Sequence, residues 1–304
     1  MSGYVLRRIL WMVPLLWAVS TVTFLLMHAV PGGPFDNEKA PPNVVATLEH
    51  RYGLDQPLHE QYVQFLGRLL QGDLGISFQT QEDVTDVISR GFGVTAQLGL
   101  SAFLFAIVFG MTLGILSAVN QNGVLDYVGV FFATVGAAMP NFILATFLVV
   151  IFAVKLGWFD VLGWEFGNPR KMVLPILALG MLPAAYIARI TRASMLEVLQ
   201  QDYIRTARAK GLQEYTVVVR HAVRNALVPI LTVAGPIFAV LVTGSFIVER
   251  IFAVPGVGRK FVEAVLARDY GLIMGTTLFY ALVVAVANLI VDILYAYVDP
   301  RIRY

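Results

Sequence analysis

Six long stretches free of Asp, Glu, Lys and Arg run through this sequence, at residues 9–30, 94–119, 127–154, 172–188, 226–248 and 270–291. A helix needs about 20 apolar residues to cross the hydrocarbon of a bilayer. Five of the stretches reach that length; 172–188 falls short and spans only if Lys171 and Arg189 snorkel from its ends. With no water in the hydrocarbon, every backbone N–H and C=O must be satisfied internally, which leaves helices or a closed barrel. The stretches lack the period-two alternation of barrel strands. The expectation is an all-α polytopic membrane protein with six transmembrane helices and both termini on one side. Composition agrees: the apolar share is 58%, and higher still with glycine counted in place of tyrosine, against roughly 45–50% in soluble domains.

Orientation rests on the first helix. Arg7 and Arg8 abut its start, whereas the next basic residue beyond its end is Lys39, and the flanks of the first helix usually dominate topology. The 22 Lys and Arg otherwise divide evenly between the two sides. Both termini are therefore placed inside. The run after Arg8 ends in His28-Ala29-Val30-Pro31 without a small-x-small cleavage site, so it reads as an uncleaved anchor.

Several chemistries are set aside. The net charge of +2 argues against nucleic acid as a partner. Cysteine is absent and the four histidines have no ligand spacing, so no metal site is expected. There is no nucleophile elbow and no P-loop, and Gly256-Val257-Gly258 is a lone G-x-G that reads as a turn.

The segments between the spans divide the chain into residues 1–30, an outer segment 31–93, and a core 94–304 whose last span runs over 270–298. Residues 31–93 carry nine acids against four bases. Leu58, Tyr62, Phe65, Leu66 and Leu69 have helical spacing there, as expected of a small helical cap or of a passive connector. Trp158 and Trp164 fall in a short outer loop, where aromatic rings favour the membrane interface. The inner loop 189–225 holds seven bases and three acids. Helical patterning runs from Glu197 to Lys210, stops at Gly211, and resumes from Gln213 until Pro229, so two helices hinged at a glycine are expected. Glycine suits a left-handed helix terminus that costs other residues about 1–2 kcal/mol. Within the spans, Gly110 and Gly114 form a small-xxx-small pair for close helix approach. Pro140-Asn141 interrupts the third span, giving either a packed kink or carbonyls facing a wet path. Asp292 lies near the inner boundary at Asp299-Pro300-Arg301, where snorkelling or pairing would satisfy it.

Three stretches resemble one family. They are Tyr52-Gly53-Leu54-Asp55-Gln56-Pro57 with Gly72-Asp73-Leu74-Gly75-Ile76-Ser77-Phe78; Asp202 to Leu212 continuing through Arg220-His221-Ala222-Val223-Arg224-Asn225 to Pro229; and Val248 to Arg259 followed by Arg268-Asp269-Tyr270 and Asp299-Pro300-Arg301. Together they resemble the inner-membrane permease subunits of ABC importers, in the oligopeptide/dipeptide branch. Arg205-Thr206-Ala207 stands where the general motif has Glu-Ala-Ala, so docking through those positions is not copied from maltose-type permeases. The resemblance implies a type I ABC importer permease fold in a bacterial or archaeal plasma (inner) membrane. It implies a second homologous permease subunit, two ATP-binding subunits that hold ATP and Mg, an extracytoplasmic substrate-binding protein and a peptide substrate, with no cofactor and no catalytic residue in this chain. Nickel complexes, glutathione or oligosaccharides are the alternative cargoes, and an ion-coupled secondary transporter is the rival from outside the family. On this reading Tyr203, Ile204, Arg205, Thr206, Ala207, Arg208, Ala209, Lys210, Gly211 and Leu212 form the ATPase-docking coupling helix. Pro255, Gly256, Val257, Gly258, Arg259, Arg268 and Asp269 belong to a loop facing the binding protein or substrate. Asn141, Thr243, Ser245 and Asn288 are the candidates for the translocation path.

The orientation has a direct test, because the chain contains no native cysteine. A cysteine placed at Gln79 is expected to react with an impermeant thiol reagent in intact cells and one at Gln213 is not; labelling at Gln213 overturns the assignment.

Overall fold

The uncharged stretches become helices in the computed structural model, which describes residues 2–35 and 41–298. In chain order these are α1 (Ser2–Ala29), α2 (Pro42–Tyr52), α3 (Leu58–Leu70), α4 (Val84–Val119), α5 (Val124–Ala138) and α6 (Asn141–Leu148). Then follow α7 (Pro169–Leu199), α8 (Asp202–Ala209), α9 (Glu214–Thr216), α10 (Arg224–Val242), α11 (Phe246–Ile251), α12 (Val257–Ala267) and α13 (Tyr270–Val298). π-Helical turns at Val149–Lys155 and Val217–Val223 extend α6 and join α9 to α10. Among the described residues five unbroken helices are long and apolar enough to cross a membrane, and a sixth crossing requires α5 and the α6 run to be counted together.

Two local expectations gain detail and two are corrected. The 172–188 stretch is the uncharged part of the 31-residue α7; within that helix Lys171 precedes it, and Arg189 and Arg192 continue it. The third span is bent by 111° between α5 and α6. Pro140 supplies no N–H and holds Met139 extended at ψ 122°, so the helical ladder stops and restarts at Asn141. The helix expected over Glu197 to Lys210 breaks at Gln200 and Gln201. The one expected to stop at Pro229 passes through it to Val242, the π-turn and neighbouring helices absorbing the proline as membrane helices commonly do. Asp292 is half-buried in α13; Asp299-Pro300-Arg301 lies outside the described residues.

The chain divides into two compact units. The first comprises the described residues up to 94 together with 255–289. Its core is Val84, Val87, Ile88, Val257, Ala264, Leu272 and Ile273, flanked by Met27, Leu74, Phe92 and Phe261. Asp269 organises it. This buried carboxylate accepts from Ser77 Oγ at 2.5 Å, from the backbone N–H of Phe78 at 3.0 Å and of Gln79 at 3.3 Å, and from Leu272 N–H at 3.1 Å. The last bond caps α13, and the others fasten the 77–79 segment to that helix end, so the cost of burying the charge is offset by four donors.

The second unit comprises residues 95–254 and the described residues from 290. Lipid offers no hydrophobic drive between helices, so α4, α5 and α7 associate through small residues that let backbones approach. A Cβ built on Gly110 would lie 2.6 Å from Ala184 O, and one on Gly114 2.5 Å from Ala188 O and 2.6 Å from Thr191 Cβ. Gly136 meets Ala185 and Gly129 meets Ser117 at 3.2 Å in the same sense. The expected packing role of Gly110 and Gly114 is what the structure holds.

Replacing Gly114 by Val is expected to cost about 1–3 kcal/mol through overpacking, read as a lower midpoint of thermal unfolding in detergent. Gly67→Ala, in α3 with open space around it, should leave that midpoint unchanged or raise it.

Candidate functional site

The basic loop singled out in the sequence folds around α8. Gln201 is extended at ψ 148° and starts the helix, Asp202 sits in its first turn and Arg208 in its last, each on the favourable side of the helix dipole. Ile204 is 0% and Ala207 7% exposed. Both insert among Ala118, Met195, Val217, Val218 and Ala222. The break at Gln200 and Gln201 makes this possible: on a straight continuation of α7, Ile204 would stand about 13 Å beyond Met195 rather than against it.

The helix ends as the glycine suggested. Gly211 has φ +78°; its N–H donates to Arg208 O at 2.9 Å, and Leu212 N–H to Ala207 O at 3.4 Å, the paired bonds of a Schellman terminus. Arg208 then reaches across the hinge, donating from Nη2 and Nε to the two carboxylate oxygens of Glu214 at 2.7 and 3.1 Å. That carboxylate raises the guanidinium's pKa. Asn225 Nδ2 donates to Tyr203 OH at 2.8 Å, tying the start of α8 to α10. What remains outward is a small, basic face: Arg205, Thr206, Ala209, Lys210, Gly211 and Leu212 are exposed. Ala207 is corrected from an outward contact to a buried one, because it faces the chain's own core.

The loop set is also corrected in part. Val257 and Asp269 are each 1% exposed, and Gly256 and Gly258 are buried. Their side of the segment packs inward: Gly91 admits Val257 N at 3.0 Å from its would-be Cβ. Val257 and Gly258 begin α12 rather than forming part of a turn. Arg268 takes φ 55° to end α12. Pro255 is exposed, Arg259 and Arg268 are half-exposed, and Arg259 donates to Glu263 at 2.7 Å, so any partner-facing role falls to these three.

Three of the path candidates, Asn141, Thr243 and Ser245, lie in the second unit. Asn141 opens α6, and its Oδ1 has no hydrogen-bond partner among the described residues. Thr243 donates to Val240 O at 2.6 Å, and Ser245 caps α11 by accepting from Val248 N–H at 3.4 Å. These two satisfy local backbone around Gly244, which has φ +77°. Asn288 belongs to the other unit. Two buried acids were not among the sequence candidates, Asp126 and Glu249. For Asp126 the uncharged flanks were the available signal; Glu249 is followed directly by Arg250.

The binding-protein-dependent transport system inner membrane component family matches residues 110–304, and the N-terminal component of the same systems matches residues 1–99. The chain belongs to this family. Its relatives include the dipeptide transport system permease protein DppB of Bacillus subtilis, 45% identical over 100% of this chain and 98% of that protein. The oligopeptide transport system permease protein OppB of Escherichia coli K12 is 42% identical over the full length of both. An inward-facing MetNI methionine ABC transporter structure aligns with TM-score 0.56 at 19% identity, covering 71% of this chain and 97% of that one. A crystal structure of an amino acid ABC transporter with histidines gives 0.54 at 17%, covering 69% and 93%. The fold of this permease is thus the type I ABC importer permease fold. The chain is a transport subunit of the membrane, and ATP hydrolysis in such importers belongs to separate subunits.

Nothing lies within 4 Å of a Cβ built on Gly211, so substitution there tests backbone strain alone. Gly211→Val is expected to destabilise the hinge by about 1–2 kcal/mol, and Gly211→Asn, whose side chain tolerates the left-handed region, by clearly less. Limited proteolysis between α8 and α9 should be fastest in the Val variant.

Proposed function

We propose that this permease moves di- or oligopeptides inward across the plasma membrane. Its partners are a second homologous permease, two ATP-binding subunits that carry the ATP and Mg, and an extracytoplasmic binding protein that delivers the peptide. The observation that carries the cargo assignment is full-length identity of 42–45% to dipeptide and oligopeptide permeases. Both termini are cytoplasmic, residues 31–93 are extracytoplasmic, and the 189–225 loop meets the ATPases. Tyr203 to Leu212 is the coupling segment. Small exposed residues at 206 and 209 allow close approach, and Arg205 and Lys210 supply charge-assisted bonds to acidic groups on the ATPase. ATP binding draws the ATPases together, α8 is displaced with them, and the helices shift between outward and inward access as a change of population. Asn141, with its unsatisfied oxygen beside the α5–α6 bend, is the favoured path residue for a peptide backbone.

The test is reconstitution of the permease with its partner permease, ATPases and binding protein in liposomes. Labelled tripeptide should accumulate only with ATP and binding protein, while accumulation of a nickel complex or an oligosaccharide in its place would overturn the cargo. Ala209→Glu should reduce co-purification of the ATPases with the permease pair; unaltered capture would overturn docking through α8.

A further inference from the structure

Three helices of the second unit meet on one carboxylate. Asp126, in the first turn of α5, accepts from Arg192 Nε at 2.7 Å and Nη2 at 2.8 Å, and from the backbone N–H of Asn122 at 2.9 Å. It also accepts from the hydroxyl of Ser117 on α4. The Asp126 side chain is 5% exposed. Such a pair is a weak source of stability, because desolvation opposes the Coulomb attraction, and the bundle is already held by its small-residue contacts. Those contacts are smooth and non-directional: Ala133 and Gly136 of α5 rest on Ala185 and Ala188 of α7. A two-pronged guanidinium–carboxylate pair instead fixes distance and rotation together.

Its location connects it to transport. Ser117 directly precedes Ala118, and Arg192 stands one helical turn before Met195; Ala118 and Met195 are walls of the socket that holds Ile204 and Ala207 of α8. On its other side, α5 leads to the 111° bend into α6. We infer that the Ser117–Asp126–Arg192 junction is a strut that makes α5, and the bend beyond it, follow α4 and α7 when α8 is displaced. Asp126 and Arg192 are positioning residues for transport: they touch neither peptide nor nucleotide, and they convert movement of the socket into movement of the broken helix.

This inference rests on the reading of α8 as the ATPase-docking element, and its test separates the two. In the reconstituted transporter, Asp126→Asn and Arg192→Met are each expected to lower peptide uptake by about tenfold. ATPase co-purification and binding-protein-stimulated hydrolysis should stay within about twofold of the parent, so more ATP is consumed per peptide. The double variant should be no worse than the worse single one, and Arg192→Lys should recover part of the uptake. Spin labels on cysteines at Val128 and Glu197, both exposed, should keep one separation through the nucleotide cycle in the parent and spread in Asp126→Asn. Uptake and hydrolysis falling in proportion, additive losses in the double variant, or a parental separation that changes with nucleotide would each overturn the strut. Failure of the docking reading would show separately, as normal ATPase capture by Ala209→Glu.

Discussion

The hydrocarbon interior offers the backbone no solvent partner, and the architecture follows from that. Each crossing must close its own hydrogen-bond ladder, so the described residues are overwhelmingly helical. Where the ladder is broken at Met139 and Pro140, the chain bends by 111° rather than running straight. The same absence of water removes the hydrophobic drive between helices. Glycine and alanine therefore do the joining in the second unit, where Gly110 and Gly114 let α4 close on the carbonyls of α7.

The segment around α8 obeys different rules within the same chain. Helix α8 is too short to persist alone in water, and it is held as a soluble helix would be, by an apolar face in a socket and by a closed C-terminus. Ile204 and Ala207 fill the socket, Gly211 closes the terminus, and Arg208 with Glu214 ties one side of the hinge to the other. The outward face is left small and basic, suited to a partner with acidic groups. Ile204 thus anchors the helix while Ala209 stays on its exposed face, a division that a linear motif does not express.

Charge is used sparingly and locally. Asp269 gathers four donors and joins the 77–79 segment to the start of α13, while Asp126 gathers Arg192, Ser117 and a backbone N–H where three helices meet. A buried carboxylate with every acceptor position occupied is directional in a way that alanine packing is not. Both acids stand at helix starts, where the dipole also favours negative charge. Each ties neighbouring elements together through directional bonds.

How much of this was legible beforehand differs by the range of the interaction involved. The helical class, the stop at Gly211 and the small-residue pair at Gly110 and Gly114 follow from periods of three to seven residues and from single-residue backbone preferences, which are local and so are written in the sequence. The family was legible too, through Asp202 to Pro229 and Val248 to Arg259. The broken α7–α8 junction was not, because Glu197 to Lys210 reads as one amphipathic run until Met195 and Val217 are known to lie where Ile204 must go. The burial of Val257 and Asp269 and the inward turn of Ala207 were decided the same way, by neighbours distant in the chain. The role of Asp126 was not legible either; its four donors come from Ser117, Asn122 and, twice, Arg192. Local preferences set which stretches are helical and that Gly211 ends one of them. Only the tertiary structure decided which face each one buries and which charge each one holds, since those choices depend on atoms that meet only after the chain has folded.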